Sequence, residues 1–276
     1  MIPDSTLIFF AKYIEAELGI VYAEHNFFQL KRRLEDIAST MNCSINDLYK
    51  QSQSGVSGQL KQLLLDTATN NETSFFRDPR VFNAIEHAIL SIFSDSATHL
   101  KIWSAASSTG QEPLSVAMLI QEFIERQKKP FAFSILASDI SERVLEKAKS
   151  AVYSSLEISR GLPSDLLNKY FVKNESDNWV ASQKLTKHIE FKKVNLKESF
   201  HSLDRYHLVL CRNVLIYQNV EGKKEILKRV LSQMEPNGFL VLGAGETLIG
   251  ISDEFESVES DGVILYRKKS KESAAA

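Results

Sequence analysis

The chain has 276 residues, of which 43% are hydrophobic and 25% charged, and its formal net charge is −2. This composition is typical of a globular protein with room for one large domain and one small domain. It excludes a basic field that would drive binding to nucleic acid, and no run of 18 apolar residues is present to cross a bilayer.

The first 69 residues carry helical periodicity and no strand pattern. Apolar side chains recur three or four positions apart over residues 7–18 and again over 27–37. A polar break with glycine and serine at 52–58 precedes one more helical stretch. We therefore predict a small all-α domain over residues 1–69.

Residues 69–79 join this region to the next predicted helix, and their composition is unusual. They combine Asn71, Thr73 and Arg77 with two phenylalanines. Two interpretations stay open at this point. The segment is either a capped linker whose phenylalanines fill the core, or a contributor of polar groups to a site.

Beyond residue 79, helical patterns alternate with short apolar runs. Such alternation predicts an α/β fold in which helices cover both faces of a mainly parallel sheet. The last two runs have no long helix between them, so we expect an antiparallel hairpin to close the sheet. The predicted strands are residues 100–105, 131–138, 189–194, 207–211, 239–242 and 263–266, and the predicted helices include 79–93, 112–126 and one capped by Ser141.

One segment interrupts this alternation. Residues 166–187 contain two short apolar runs, 170–172 and 179–181, on either side of a polar turn. The pattern predicts a β-hairpin. We therefore expect a small β subdomain inserted in the α/β domain.

Residues 102–116 are the most informative stretch of the chain. They form an apolar strand, a loop of small residues with Gly110, and the start of a helix. At the carboxyl end of a strand, such a loop lets backbone N–H groups approach a ligand. The next predicted strand ends on Asp139, where nucleotide-binding α/β folds place an acid that binds ribose hydroxyls.

The glycine content of this loop limits the classes of ligand that it can bind. A three-glycine loop lets a pyrophosphate sit tightly against the backbone, and its absence here speaks against NAD or FAD; no P-loop occurs either. An adenosine ligand without phosphates, S-adenosylmethionine, therefore fits best, and the alternative is a purely structural strand–loop–helix unit. No histidine has a metal-ligand spacing and no G-x-S-x-G elbow occurs, so we expect no metal cofactor and no serine hydrolase.

A second polar segment follows a later strand. Arg212 and Asn213 come directly after residues 207–211, at the strand end where α/β sheets bind ligands. They are either site residues or ordinary polar residues of a loop.

Five strings, in order along the chain, resemble the CheR family of chemotaxis receptor methyltransferases. They are residues 71–77, 103–113, 137–140, 194–196 and 211–217. The likeness covers nearly the whole chain, and five matches in family order are highly specific. The resemblance implies a helical receptor-contacting domain over 1–69, a linker at 70–80 that contributes to the cofactor site, a Rossmann-like methyltransferase domain over 81–270 with its β insertion at about 166–187, and a tail at 271–276.

The resemblance also implies a reaction. The methyl group of S-adenosylmethionine passes to glutamate carboxylates of methyl-accepting chemotaxis receptors, and the products are glutamyl γ-methyl esters and S-adenosylhomocysteine. No metal takes part. This activity belongs to chemosensory adaptation.

Site roles follow from the resemblance, motif by motif. Asp139 is expected to hold the ribose, and Glu112 to lie near the methionine ammonium. The remaining cofactor contacts are expected from Asn71, Thr73 and Arg77 in the linker, Ala106 in the loop, Asn195 and Leu196 beside the adenine, and Asn213 and Val214 near the reacting end.

Arg77 and Tyr217 are the candidates for positioning the acceptor carboxylate. A glutamate with a pKa of about 4.3 is already ionised at neutral pH, so the chemistry needs no general base. Arg77 has a fork of donors suited to a carboxylate, and Tyr217 offers one O–H. Whether Arg77 binds the acceptor or the cofactor carboxylate stays open.

The resemblance further implies contact with the cytoplasmic part of the receptors. Lys31, Arg32 and Arg33 form a basic cluster suited to acidic receptor helices, although an ordinary solvated helix face is the alternative. In some family members the β insertion adds a receptor peptide to its sheet edge. We expect a cytoplasmic monomer recruited to membrane-bound receptor arrays, since no secretory signal is recognisable.

Two other functions stay open. One is a methyltransferase of this fold that acts on a small molecule or another protein. The other is a non-catalytic module that binds S-adenosylmethionine and serves as a receptor adaptor. A methylated product that survives alkali favours the first, and tight cofactor binding without turnover favours the second.

Overall fold

Four helices open the chain and enclose a core of their own. The computed structural model describes residues 3–94, 99–128, 131–200 and 202–269. Leu7, Phe10, Ile14 and Leu18 are all buried on one face of the first helix, as their spacing predicts. The helices are α1 (Asp4–Leu18), α2 (Phe27–Thr40), α3 (Ile45–Ser52) and α4 (Gly58–Ala68).

The basic cluster predicted on α2 is divided by the structure. Lys31 and Arg32 are exposed, and Lys31 pairs with Glu35 one turn later. Arg33 instead donates hydrogen bonds to the Tyr22 hydroxyl and to the Ala68 carbonyl oxygen. Its guanidinium thereby connects α2 to the end of α4, and its expected part in receptor binding stays a prediction.

The remaining elements build a seven-stranded sheet and a small second sheet. The large sheet has the strand order β6-β2-β1-β7-β8-β10-β9, and its first five strands are parallel. The elements are α5 (Pro79–Ser94), β1 (His99–Ala105), α6 (Gln111–Gln127), β2 (Ala132–Asp139), α7 (Glu142–Ser150), β3 (Val152–Tyr153), α8 (Ser155–Ser159), α9 (Ser164–Tyr170), β4 (Phe171–Lys173), β5 (Trp179–Ala181), α10 (Gln183–Thr186), β6 (Ile189–Lys193), β7 (Tyr206–Cys211), α11 (Val220–Ser232), β8 (Met234–Leu242), β9 (Phe255–Ser260) and β10 (Val263–Lys268).

Each face of the large sheet has its own hydrophobic core. Side chains of successive strand residues point to opposite faces, so Ile102 packs into one core and Trp103 into the other. Leu208 and Val209 divide in the same way along β7. This two-sided burial explains the continuous apolar runs, and it confirms the predicted α/β fold with its mainly parallel sheet.

The closing strands differ from the prediction. The two predicted runs do pair antiparallel, with Tyr266 opposite Leu240. The hairpin partner of β10, however, is β9, which the prediction lacked. β9 lies at the sheet edge and exposes Glu256 and Glu259, so it has no continuous apolar run, and charged side chains are common on such edges.

The inserted β unit is larger than the predicted hairpin. Its strand order is β3-β5-β4, so residues 152–153 contribute an edge strand well before residue 166. A strand of two residues has no periodicity that a sequence pattern could reveal. The predicted hairpin between β4 and β5 is present.

The residues that the structure describes contain neither a membrane-spanning helix nor a candidate metal site. None of their helices is long and apolar enough to cross a membrane. Cys43 and Cys211 are free thiols. No cluster of three or more histidine, cysteine, aspartate or glutamate side chains in these ranges could hold a metal ion.

One half-buried histidine, His207, is expected to make stability depend on pH. Burial lowers the pKa of His207 below its usual value of 6.5, and its Nδ1 accepts the Lys101 N–H at 3.1 Å. A protonated Nδ1 cannot accept that hydrogen bond. The neutral ring therefore contributes stability that is present above the unfolded-state pKa and lost as the pH falls through the lower folded pKa.

The measurement is urea unfolding of the wild type and His207→Asn at about pH 7.5 and about pH 5.5. Asparagine does not titrate, and its side-chain oxygen can accept the same N–H. We expect the loss of unfolding free energy at the lower pH to be smaller in His207→Asn. The exposed His25→Asn serves as the control, and an equal pH dependence in all three proteins would contradict this assignment.

Candidate functional site

A cavity lies at the edge of the large sheet where β1, β2 and β7 end. Its wall also includes Leu18 and Ile20, at the end of α1. All of the site residues predicted from the sequence line this one cavity: Asn71, Thr73, Arg77, Ala106, Glu112, Asp139, Asn195, Leu196, Asn213, Val214 and Tyr217. The structure thus brings these residues together, and their individual roles stay predictions.

The loop after β1 has an unusual backbone. Ala106 and Ser108 have positive φ angles of 56° and 51°, and Gly110 has a φ of 92°. A Cβ at Gly110 would lie 2.9 Å from the Tyr153 hydroxyl oxygen and 3.0 Å from the Ala148 Cβ. Glycine is therefore required at the start of α6, and left-handed residues of other types are typical of ligand-binding loops.

Asp139 is held by the backbone on both sides. Its Oδ2 accepts the Ser108 N–H at 3.0 Å, and its Oδ1 accepts the Ser141 N–H at 3.0 Å. Burial raises the pKa of Asp139, although these N–H groups favour the ionised form. Since a carboxylate has about four acceptor positions, Asp139 can still accept from hydroxyl groups such as those of a ribose.

Arg212 connects three segments at the wall of the cavity. Its side chain is only 2% exposed, and it donates to the Asp78 carboxylate at 2.7 Å, the Arg77 carbonyl oxygen at 2.7 Å and the Glu112 carboxylate at 3.1 Å. The linker, the first turn of α6 and the loop after β7 are thereby joined. The sequence analysis named Arg212 as a possible site residue but did not predict these ion pairs.

Glu112 is already engaged at both oxygens. Oε1 accepts the Ser104 hydroxyl at 2.7 Å, and Oε2 accepts Arg212. Since a carboxylate has about four acceptor positions, Glu112 can still accept from an ammonium in the cavity. Its expected role near the methionine ammonium stays a prediction.

The linker is fixed above the cavity by contacts at both of its faces. Phe75 is fully buried and packs edge-on against Tyr153 and Phe171, with ring centroids 5.1 and 5.7 Å away. On the other side, the Ser108 hydroxyl donates to the Asn71 carbonyl oxygen at 2.8 Å. Asn71 and its neighbours are therefore held beside the loop that follows β1.

The N-terminal domain is attached at the rim of the cavity. The last carbonyl groups of a helix have no hydrogen-bond donors within the helix. At the end of α1, side chains of the α/β domain donate to these carbonyl groups. Lys197 donates to the carbonyl oxygens of Glu15 and Ala16, Asn195 to that of Glu17, and Gln218 to that of Leu18. The side chain of Asn195 therefore serves this junction, which leaves mainly its backbone for the expected adenine contact.

The two candidates for positioning the acceptor have free donors. Arg77 donates from Nη1 to the Glu72 carbonyl oxygen at 3.0 Å. The Tyr217 hydroxyl accepts from the Asn70 side chain at 2.9 Å, so its own proton remains available. Both side chains line the cavity and can donate to an anionic group there.

Glu246 supports a loop of the site, and no prediction from the sequence included it. Its carboxylate accepts backbone N–H groups of the loop after β7, which carries Asn213 and Val214. The only sequence signal was a glutamate in a glycine-containing segment directly after the apolar run of β8. Such a signal is too common to single out a residue.

The fold and the site together define a class. A mainly parallel sheet, a single-glycine loop after β1 and a buried carboxylate at the end of β2 are the parts of a Rossmann-like S-adenosylmethionine-binding methyltransferase. Residues 71–264 match the family described as CheR methyltransferase, SAM binding domain. The chain belongs to the CheR methyltransferase family, which confirms the resemblance seen in its sequence.

Relatives of known name agree with this assignment. The chain is 34% identical to chemotaxis protein methyltransferase Cher2 of Pseudomonas putida over 266 residues, which are 94% of this chain and 96% of that protein. It is 33% identical to a chemotaxis protein methyltransferase of Vibrio parahaemolyticus over 272 residues, 97% of this chain and 98% of the relative. The match extends through the helical domain as well as the methyltransferase domain.

Proposed function

We propose that the protein transfers the methyl group of S-adenosylmethionine to glutamate side-chain carboxylates of methyl-accepting chemotaxis receptors. The products are a glutamyl γ-methyl ester and S-adenosylhomocysteine. The observation that carries this proposal is the convergence of Arg77 and Tyr217 on the cavity that Asp139 and the β1 loop form. Membership of the CheR family supports it.

The cavity residues fit the cofactor. When bound, S-adenosylmethionine supplies an activated methyl group on a positively charged sulfur. Asp139 would hold the ribose through its remaining acceptor positions, and Glu112 would lie near the ammonium. Asn195 and Leu196 would flank the adenine, and Asn213 and Val214 would lie toward the reacting end. The cavity is also lined by Asn71, Thr73, Arg77 and Ala106.

The acceptor needs alignment more than activation. A glutamate carboxylate is a ready nucleophile at neutral pH, and its attack on a sulfonium centre removes two opposite charges. A cavity shielded from water favours such a step, and the in-line geometry comes from positioning. Tyr217 and Arg77 would position this carboxylate by donating to it, since too strong a grip would stabilise the ionised ground state and slow the transfer.

The domain arrangement supports a receptor as the substrate. We propose residues 1–69 as the receptor-contacting domain, 70–80 as the linker and 81–270 as the methyltransferase domain. The tail at 271–276 lies outside the described residues. Lys31 and Arg32 are exposed on α2, where they can attract an acidic helix, and β4 is an edge strand with exposed Val172. We also propose a cytoplasmic monomer that acts at receptor arrays.

The test uses S-adenosylmethionine labelled on its methyl group, together with receptor-bearing membranes. Mild alkali releases the methyl group of a glutamyl ester as methanol, so we expect volatile label from the wild type and none from Asp139→Ala. Label that stays on the protein after alkali would contradict the carboxylate as acceptor. Absence of label from a preparation that binds the cofactor would contradict receptor methylation.

A further inference from the structure

The half-buried carboxylate of Glu246 has an unusual set of hydrogen-bond partners. Its Oε2 accepts the N–H groups of Asn213 at 2.7 Å and Gly243 at 2.8 Å. Its Oε1 accepts those of Val214 at 3.0 Å and Ile216 at 3.1 Å. The carboxylate thus receives four backbone hydrogen bonds and makes no ion pair with any residue in the described ranges, so all of its acceptor positions serve the backbone.

This carboxylate shapes a loop of the cofactor cavity. Three of the four N–H groups belong to residues 213–216, and Asn213 has a left-handed φ of 58°. Asn213, Val214 and Tyr217 all line the cavity. The N–H groups of this loop converge on one point, and each needs a hydrogen-bond acceptor there. The negatively charged carboxylate of Glu246 is that acceptor, so it favours this conformation of the loop.

The space around Gly243 supports the same conclusion. A Cβ at this position would lie 2.6 Å from Nδ2 of Asn213, 2.9 Å from its backbone nitrogen and 2.9 Å from Oε2 of Glu246. The two loops therefore approach as closely as the chain allows. Gly243 and Glu246 therefore pack directly against the loop after β7 and hold it in place.

We propose that Glu246 is a positioning residue for methyl transfer. It fixes the loop after β7 in the conformation that places Asn213 and Val214 against the cofactor and Tyr217 beside the acceptor. The proposed effect of Glu246 on cofactor binding is argued from the fold and the cavity alone. The proposed effect of Glu246 on the acceptor also depends on the proposed receptor methylation.

The first test is Glu246→Gln, which keeps the size of the side chain. The amide offers one oxygen to four donors and turns an NH₂ group toward two of them. We expect the affinity for S-adenosylhomocysteine, measured by calorimetry, to fall about 10- to 100-fold, and kcat at saturating cofactor to fall as well. Glu254→Gln, at an exposed position directly before β9, is the matched control and is expected to bind like the wild type.

A second variant covers the case in which Glu246→Gln does not fold. Gly243→Ala leaves the carboxylate intact and displaces the loop, so it is expected to weaken cofactor binding in the same direction. Wild-type affinity and kcat in either variant, once folded, would overturn the proposal.

A double-mutant cycle separates positioning from general stability. If Glu246 acts through Asn213, the loss of cofactor affinity in the Asn213→Ala/Glu246→Gln protein is smaller than the product of the two single losses. Independent, fully multiplicative losses would overturn the proposal. A wild type that binds cofactor but methylates no receptor refutes the proposed function alone, because the calorimetric comparison still tests Glu246.

Discussion

Replacing Arg212 with methionine is expected to lower the free energy of unfolding by about 3 kcal/mol or more. The side chain of Arg212 is 2% exposed and that of its partner Glu112 is 13% exposed. Removal of the guanidinium leaves the Glu112 charge buried without compensation, whereas Asp78, at 39% exposure, can turn to water. A loss of this size is a large part of the stability of a typical domain.

Urea unfolding of purified protein measures this effect. Arg126→Met is the control, because its ion pair with Glu86 is on the surface and is worth no more than about 1 kcal/mol. The double variant Arg212→Met/Glu112→Gln removes the buried charge as well, so it is expected to recover part of the lost stability. If Arg212→Met lowers the free energy of unfolding no more than Arg126→Met does, the buried ion pair does not hold the linker to the sheet.

The second large effect is expected at Asp139. If Asp139 binds the ribose hydroxyls as proposed, Asp139→Ala removes two charge-assisted hydrogen bonds, so the affinity for S-adenosylhomocysteine is expected to fall about 100-fold or more. Calorimetry measures the affinity directly. Asp204→Ala, whose exposed carboxylate pairs with Lys101 at the opposite end of the sheet, is the control and is expected to bind like the wild type.

The raised pKa of Asp139 gives this prediction a pH dependence. The ionised form binds hydroxyl donors, so cofactor affinity is expected to fall as the pH falls through the folded-state pKa of Asp139. Stability changes in the opposite direction: the contribution from this group is present below the unfolded pKa and lost as the pH rises through the folded pKa. Unchanged affinity in Asp139→Ala would remove the ribose assignment.

Much of the fold was predictable because burial leaves a pattern. The parallel strands are buried on both faces, and their continuous apolar runs at residues 100–105 and 207–211 agree with the observed strands. β9 and β3 were missed, since one is a polar edge strand and the other has two residues. Neither has the periodicity on which such predictions depend.

The candidate site divides in a similar way. Asp139 was predictable because an acid at the end of an apolar strand indicates a ligand site in α/β folds, whatever its contacts with distant residues. Glu246 and the ion pairs of Arg212 were not, because their partners lie far away in sequence and only folding brings them together. The same is true of Lys197 and Gln218 at the end of α1, whose side chains join the two domains.

The most direct test of the central claim is mass spectrometry of a receptor cytoplasmic domain incubated with the protein and S-adenosylmethionine. We predict peptides that carry one additional CH₂ group on a glutamate side chain and lose it as methanol in mild alkali. Asp139→Ala is expected to give none. Methylation at a nitrogen atom, or no methylation by a wild type that binds the cofactor, would contradict a protein-glutamate O-methyltransferase.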